Sequence, residues 1–369
     1  MELAHEDQVL LFGFCPYLNE TRLEQLRRSL LAVNDYHKLL AKARWQAVLA
    51  PLAYNLQQHG LDELLSSDHR RILSAARQAA AAVRGDLQAV LRDLVGSVGQ
   101  DLRDLMLLKG FDLVHSAYPH PDLREMRDLD ILVHREDIGL VRRALLEAGL
   151  LQGRFDPRNQ KLVPMPRREI ERAERAHYEC LPFRKLMRLS CLDGLVGSGS
   201  VVPPSGHLHL IRDEVWYSLE VDVHHNLAPD IKLPDVWAGQ RPVSIDGLQM
   251  KGQSPEALLW FVAARVYHEV MLVSPRKLFQ LHDVIAILHR WGPQLDWLSV
   301  LKTSSRYHFH PSLYYVLLRV HQLFDAPVPQ DVLRQLCPTA RGVSRLHDWG
   351  DFLPKMLGYC EVPEITFAG

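Results

Sequence analysis

Residues 127–133 read Arg-Asp-Leu-Asp-Ile-Leu-Val, an alternation of polar and apolar side chains with a period of two. A strand with that period turns Asp128 and Asp130 to one face and Leu129, Ile131 and Val133 to the other. Two carboxylates side by side on a rigid element repel and raise one another's pKa. The pair therefore calls for a cation, most naturally Mg2+ or its close substitute Mn2+, which prefer carboxylate and phosphate oxygen. The plainer alternative is an edge strand with a solvated acidic face.

The flanking sequence extends an α/β pattern in both directions. Upstream, Leu107-Leu-Lys-Gly110 leads into a short helical pattern with Leu113, Val114 and Ala117; a glycine at a helix start lets backbone N–H groups approach a phosphate closely. After the strand, Ile138, Val141, Leu145 and Leu146 mark a helix that Gly149 caps. Further on, Leu219-Glu-Val-Asp-Val-His224 repeats the strand alternation and puts Glu220, Asp222 and His224 on one face, where either carboxylate is a candidate to complete a metal site. That strand and residues 207–211 are expected to form a hairpin closed around 212–214.

Between these motifs, residues 151–190 hold ten Lys or Arg against five Asp or Glu, the one basic block in a chain of net charge −1. Arg167, Arg168, Arg172 and Arg175 interleave with Glu169, Glu171 and Glu174 at spacings that allow surface ion pairs, so a solvated helical face competes with nucleotide or acceptor contact. His177 and Tyr178 read as the start of a strand facing the cleft, with packing as the plainer alternative. The loop Gly197-Ser-Gly-Ser200 mimics a phosphate-binding step, but the following Val-Val-Pro-Pro cannot form the helix such a step must open.

The near-zero net charge excludes a general polyanion binder and restricts any nucleic-acid contact to a local substrate contact. Five scattered cysteines without a CxxC indicate neither a disulfide framework nor a zinc ribbon, and a reducing cytoplasm is the expected compartment. No run approaches the roughly 20 apolar residues of a membrane helix. Apolar residues recur at helical spacing through about 20–108, as in Trp45, Val48, Leu49, Leu52 and Leu56, and helices resume from Ser254 and Pro255.

LLKG at 107–110, LREMRDLDILV at 123–133 and LEVDVHHNL at 219–227 together resemble the nucleotidyltransferase superfamily that includes DNA polymerase β, and most of all its large uncharacterised branch. The likeness extends to the helical lead-in Ala50-Pro-Leu-Ala-Tyr-Asn-Leu56 and the tail from Leu258 to Trp297. Lys109-Gly110 stands where many members have Gly-Ser, and the interval to Asp128 is longer than in better-known members.

The resemblance implies an α+β fold: a central nucleotidyltransferase domain with a short mixed sheet at 98–250, an N-terminal helical region at 1–97 and a C-terminal helical domain at 251–369. It implies transfer of a nucleoside monophosphate from an NTP to a hydroxyl on a small molecule, a peptide or protein, or a tRNA end. Asp128, Asp130 and Asp222 would hold Mg2+ and act in catalysis. Gly110 would lie against the phosphates, and Lys109 and Arg124 would offset their charge. Glu220 rivals Asp222, and His224, Arg127 and His177 are further candidates.

Two other classes compete: a non-catalytic binding or scaffold protein with the same fold, and an HD-type phosphohydrolase placing metal on His268, His282 and Asp283. Leu278, Leu281, Ile285 and Leu288 make the segment around His282 look like an ordinary core helix. His268-Glu269 lacks the second histidine of a zincin.

Overall fold

The computed structural model describes residues 3–99, 101–175, 177–193, 208–228, 230–273, 278–338 and 352–358. They divide into two compact units, Leu49–Ser254 and Met1–Val48 with Pro255–Gly369.

The second of these units is helical. Its N-terminal part holds α1 (His5–Gly13), α2 (Glu20–Leu31) and α3 (Tyr36–Trp45). Asn19 and Asp35 cap α2 and α3 by accepting from the backbone N–H of Arg22 and Lys38. The Gln46 side chain donates to the Met356 carbonyl at 2.7 Å and accepts from the Leu278 N–H, tying this part to the distant C-terminal helices.

The unit at Leu49–Ser254 carries the sheet. It opens with α4 (Leu49–Gln58) and the 32-residue α5 (Ser67–Val98). There follow β1 (Leu105–Leu107), α6 (Lys109–Ser116), β2 (Asp128–Val133), α7 (Ile138–Glu147), β3 (Leu151–Asp156), β4 (Lys161–Pro164) and α8 (Arg167–Glu174). Then come β5 (Phe183–Arg188), β6 (Leu208–Ile211), β7 (Glu214–His224), α9 (Leu233–Ala238), β8 (Gln240–Ile245) and β9 (Leu248–Gln253). The strands run in the order β4-β3-β5-β7-β2-β1-β9-β8, with β6 also on β7. The sheet is mixed: β2 runs parallel to β7 and β1 parallel to β9, while the other pairs are antiparallel. The fold is α+β, as expected.

Alternation decides which face is core. Leu129, Ile131 and Val133 of β2 and Leu219, Val221 and Val223 of β7 are buried against Leu87, Leu91, Leu94 and Val98 of α5 and Val141 and Leu145 of α7. The stripe on α5 recurs every three to four residues, which puts it on one side of the helix. The opposite face is left with Asp128, Asp130, Glu220 and Asp222.

The remaining helices are α10 (Pro255–Leu272), α11 (Leu278–Trp291), α12 (Trp297–Arg306), α13 (His310–Phe324), α14 (Gln330–Leu336) and α15 (Leu353–Leu357), in the same unit as α1–α3. Leu278, Leu281, Ile285 and Leu288 are fully buried there.

The division differs from the expected three regions 1–97, 98–250 and 251–369. Helix α5 belongs with the sheet because its apolar stripe forms the sheet's core, and α1–α3 belong with the C-terminal helices. The helical spacing from Trp45 to Leu56 is interrupted: α3 ends at Trp45, Ala47 adopts φ 56°, and α4 begins at Leu49. The hairpin β6–β7 turns at Arg212 and Asp213, both left-handed (φ 50° and 64°), as a two-residue turn matching the strands' twist requires. The similar hairpin β8–β9 turns at Asp246-Gly247. The loop 197–200 lies outside the described residues.

Candidate active site

Parallel pairing of β2 with β7 sets Asp128 opposite Glu220 and Asp130 opposite Asp222. One oxygen from each of Asp128, Asp130 and Asp222 lies within 4.8 Å of the other two, and among the described residues no other group of His, Cys, Asp or Glu is so arranged. His268, His282 and Asp283 therefore do not form the metal site of an HD phosphohydrolase; the His282 ring stacks on Phe14 instead.

Asp130 is 4% exposed. Its Oδ1 accepts from Lys109 Nζ at 2.6 Å and lies 3.0 Å from His224 Nε2. Burial favours the neutral acid, but the Lys109 charge, together with the His224 contact, outweighs it and holds Asp130 well below the usual carboxylate range. Asp222 has the opposite environment. Burial, then the charges of Asp130 and Asp128, push its pKa well above the ordinary value, and Lys109 only partly offsets them. Its Oδ1 is buried and accepts no hydrogen bond from the described residues.

This site fits a hard divalent cation. Three carboxylates converge, one presents an orphaned buried oxygen, and all the donors are oxygen.

Glu220 shares the face but is engaged elsewhere: its Oε1 accepts from Arg184 Nε of β5 at 2.6 Å, and Arg184 also donates to the Gly153 carbonyl. Lys109 and Gly110 open α6 directly after β1, with Lys109 in the left-handed region at φ 48°. Gly110 packs against the Arg124 guanidinium so closely that a Cβ there would lie 2.6 Å from Nη2.

The loop carrying Arg124 and Arg127 is pinned from behind. Asp122 accepts from Arg77 and Arg84 of α5 at 2.8 and 3.0 Å. Glu125 accepts from the Ala50 N–H at 2.8 Å, at the start of α4, and burial pushes its pKa up. The structure thus gathers Lys109, Asp128, Asp130, Asp222 and His224, with Gly110 and Arg124 beside each other. His177 is exposed, with its Nδ1 3.6 Å from Glu179 Oε1 and its ring stacked on Tyr178.

Glu179, Arg184 and Glu125 were not singled out by the motifs. Glu179 and Arg184 stand in the basic block, where alternating charges read as a surface. That reading describes α8, which has no buried residue and carries the exposed pair Arg167–Glu171 at 2.7 Å. The one local signal for Glu179 was its place beside His177 and Tyr178.

Among the described residues no helix is long and apolar enough to cross a membrane. Comparisons with curated proteins and with solved structures return no match. A family model described as an uncharacterised nucleotidyltransferase matches residues 33–325, and the chain belongs to that family.

Proposed function

We propose that the chain transfers a nucleoside monophosphate from an NTP to an acceptor hydroxyl, with Mg2+ or Mn2+ bound by Asp128, Asp130 and Asp222. The observation that carries this reading is the convergence of these three carboxylates, with the buried Asp222 Oδ1 unpartnered, in a nucleotidyltransferase family member. A divalent cation bound there supplies charge that offsets the triphosphate and lowers the pKa of the acceptor hydroxyl.

The chain's own groups do the rest. Lys109 and Arg124 offset phosphate charge, and Gly110, lacking a side chain, lets Arg124 stand close to the start of α6. The acceptor oxygen attacks the α-phosphorus in line; a new O–P bond forms as the bond to the bridging oxygen breaks, and pyrophosphate leaves. A reducing cytoplasm is the proposed setting, in keeping with five scattered cysteines that form no CxxC.

The test incubates the chain with Mg2+, each NTP and a panel of small-molecule, peptide and tRNA acceptors, read by mass spectrometry. A mass gain of one nucleotide on an acceptor, lost in Asp130→Asn, is the expected result. Mg2+-independent transfer, or transfer unchanged in Asp130→Asn, overturns the metal assignment. Nucleotide binding that never leads to transfer favours a scaffold.

A further inference from the structure

The segment before β5 runs beside the end of β7. Glu179 forms a single antiparallel bridge with His224, the Cys180 N–H donates to the Val223 carbonyl at 2.8 Å, and the His225 N–H donates to the Tyr178 carbonyl at 3.0 Å. These backbone contacts bring Glu179 alongside the His224 ring. Glu179 Oε2 lies 3.1 Å from His224 Nδ1, a close charge contact without hydrogen-bond alignment, while the ring's other nitrogen, Nε2, lies 3.0 Å from Asp130 Oδ1 and meets hydrogen-bond geometry.

The ring is 1% exposed. It cannot rotate about its Cβ–Cγ bond without giving up both carboxylate neighbours. A carboxylate only accepts, so the contact at Nε2 suits the ring tautomer that carries its proton there. Lys109 Nζ shares the same Asp130 oxygen. Two nitrogens converging on one oxygen set the rotation of the carboxylate, and so decide how its second oxygen is presented.

We propose that Glu179 is a positioning residue that acts through His224 to orient Asp130 for its ligand. The inference rests on the reading of Asp130 as a metal ligand. Groups behind metal ligands commonly govern affinity through orientation, and losing one costs about 10- to 100-fold. Glu179 suits a test by truncation: it is 28% exposed on its side chain and lines an open cavity of about 330 Å3 with Arg135, Arg175 and His225, so removing it opens no closed void in the core.

The experiment titrates the full chain with Mn2+ alone, read by electron paramagnetic resonance, with a melting curve for each variant. Glu179→Ala is expected to weaken Mn2+ binding about 10- to 100-fold at a near-unchanged melting temperature. Glu179→Gln, which keeps an acceptor in the same place, is expected to recover most of the loss. In a His224→Asn background, Glu179→Ala should add less than about twofold, because its route is already cut.

Wild-type affinity in Glu179→Ala overturns the proposal, and so does an undiminished further loss on His224→Asn. Nitrogen-15 histidine spectra give the same answer without altering the buried ring: the His224 signal should shift in Glu179→Ala and return in Glu179→Gln, and an unmoved signal overturns the proposal. If Asp130→Asn and Asp222→Asn bind Mn2+ like the wild type, the metal reading itself fails, an outcome distinct from failure at Glu179.

Discussion

Asp130 and Asp222 face each other across the parallel β2–β7 pair, yet the surroundings treat them as opposites. Lys109 and His224 both meet Asp130 Oδ1, while Asp222 Oδ1 has no hydrogen-bond partner among the described residues. The pair thus comprises one compensated carboxylate and one that gains only when a cation joins it. Asp222→Asn should therefore stabilise the chain by about 1–2 kcal/mol in EDTA, since it removes a repulsive buried charge, while abolishing turnover. Urea denaturation and single-turnover assays on the same preparation check both halves. Lower stability in EDTA would mean that Asp222 has a stabilising partner of its own.

Glu220 should behave in the reverse way. Its carboxylate is tied to Arg184, so Glu220→Ala leaves a half-buried guanidinium without its partner and costs about 1–3 kcal/mol. Turnover at a temperature well below the melting point should fall less than about tenfold, against a far larger loss in Asp222→Ala. A single-turnover assay showing the opposite ranking would move the third carboxylate to Glu220.

This contrast marks where the sequence stopped being informative. Alternation alone groups Asp128 with Asp130 on one strand and Glu220 with Asp222 and His224 on another, and the structure brings both groups to the same face of the sheet. Choosing between Glu220 and Asp222 depends on Arg184, which pairs with Glu220 only because β5 lies beside β7. That neighbour relation is long-range and leaves no periodic trace. Glu179 is hidden for the same reason, since its meaning comes from the backbone bridge to His224. Helix α5 was readable as a helix from its apolar spacing, but its packing behind the sheet was not. The β8–β9 hairpin did leave a local sign in Asp246-Gly247, a dipeptide suited to a two-residue turn.

Gly110 makes its prediction through Arg124. A methyl group at 110 collides with the guanidinium, the movable end of a long side chain, so Gly110→Ala should displace Arg124 at a cost below about 1 kcal/mol. If Arg124 grips phosphate, the KM for NTP rises about tenfold while kcat changes little. Adding Gly110→Ala to Arg124→Ala should then do nothing further. A larger KM in the double variant would place the glycine itself against the phosphates.

Asp112 on α6 gives the chain a pH dependence away from the carboxylate cluster. It is fully buried beside Arg241 of β8 and Ser116, and burial, only partly offset by Arg241, pushes its pKa up to about 6. The folded chain thus binds this proton more tightly than the unfolded chain does. Stability from this group is complete below about pH 4, declines as pH rises to about 6 and stays flat above. Relative to Asp112→Asn, the wild type should lose about 3 kcal/mol across that window. Denaturation curves at pH 4, 5, 6 and 7 measure the difference, and a flat difference would return Asp112 to an ordinary carboxylate.

Lys109 joins backbone strain to electrostatic function. Its φ of 48° costs a residue with a Cβ about 1–2 kcal/mol, and the ammonium that this bend delivers sits 2.6 Å from Asp130 Oδ1. In Lys109→Met the strain remains while the charge goes, leaving Asp130 and Asp222 without that cation. The expected loss in EDTA is about 3–5 kcal/mol, the cost of unpairing a buried charge. Lys109→Gly loses the same charge but relaxes the backbone, so it should be about 1 kcal/mol more stable than Lys109→Met. Saturating Mg2+ should narrow the gap between either variant and the wild type, because a cation bound by the three carboxylates takes over the neutralisation. Melting curves with EDTA and with Mg2+ decide the matter: an equal Mg2+ shift in wild type and Lys109→Met would mean that the ammonium and the metal do not serve the same carboxylates.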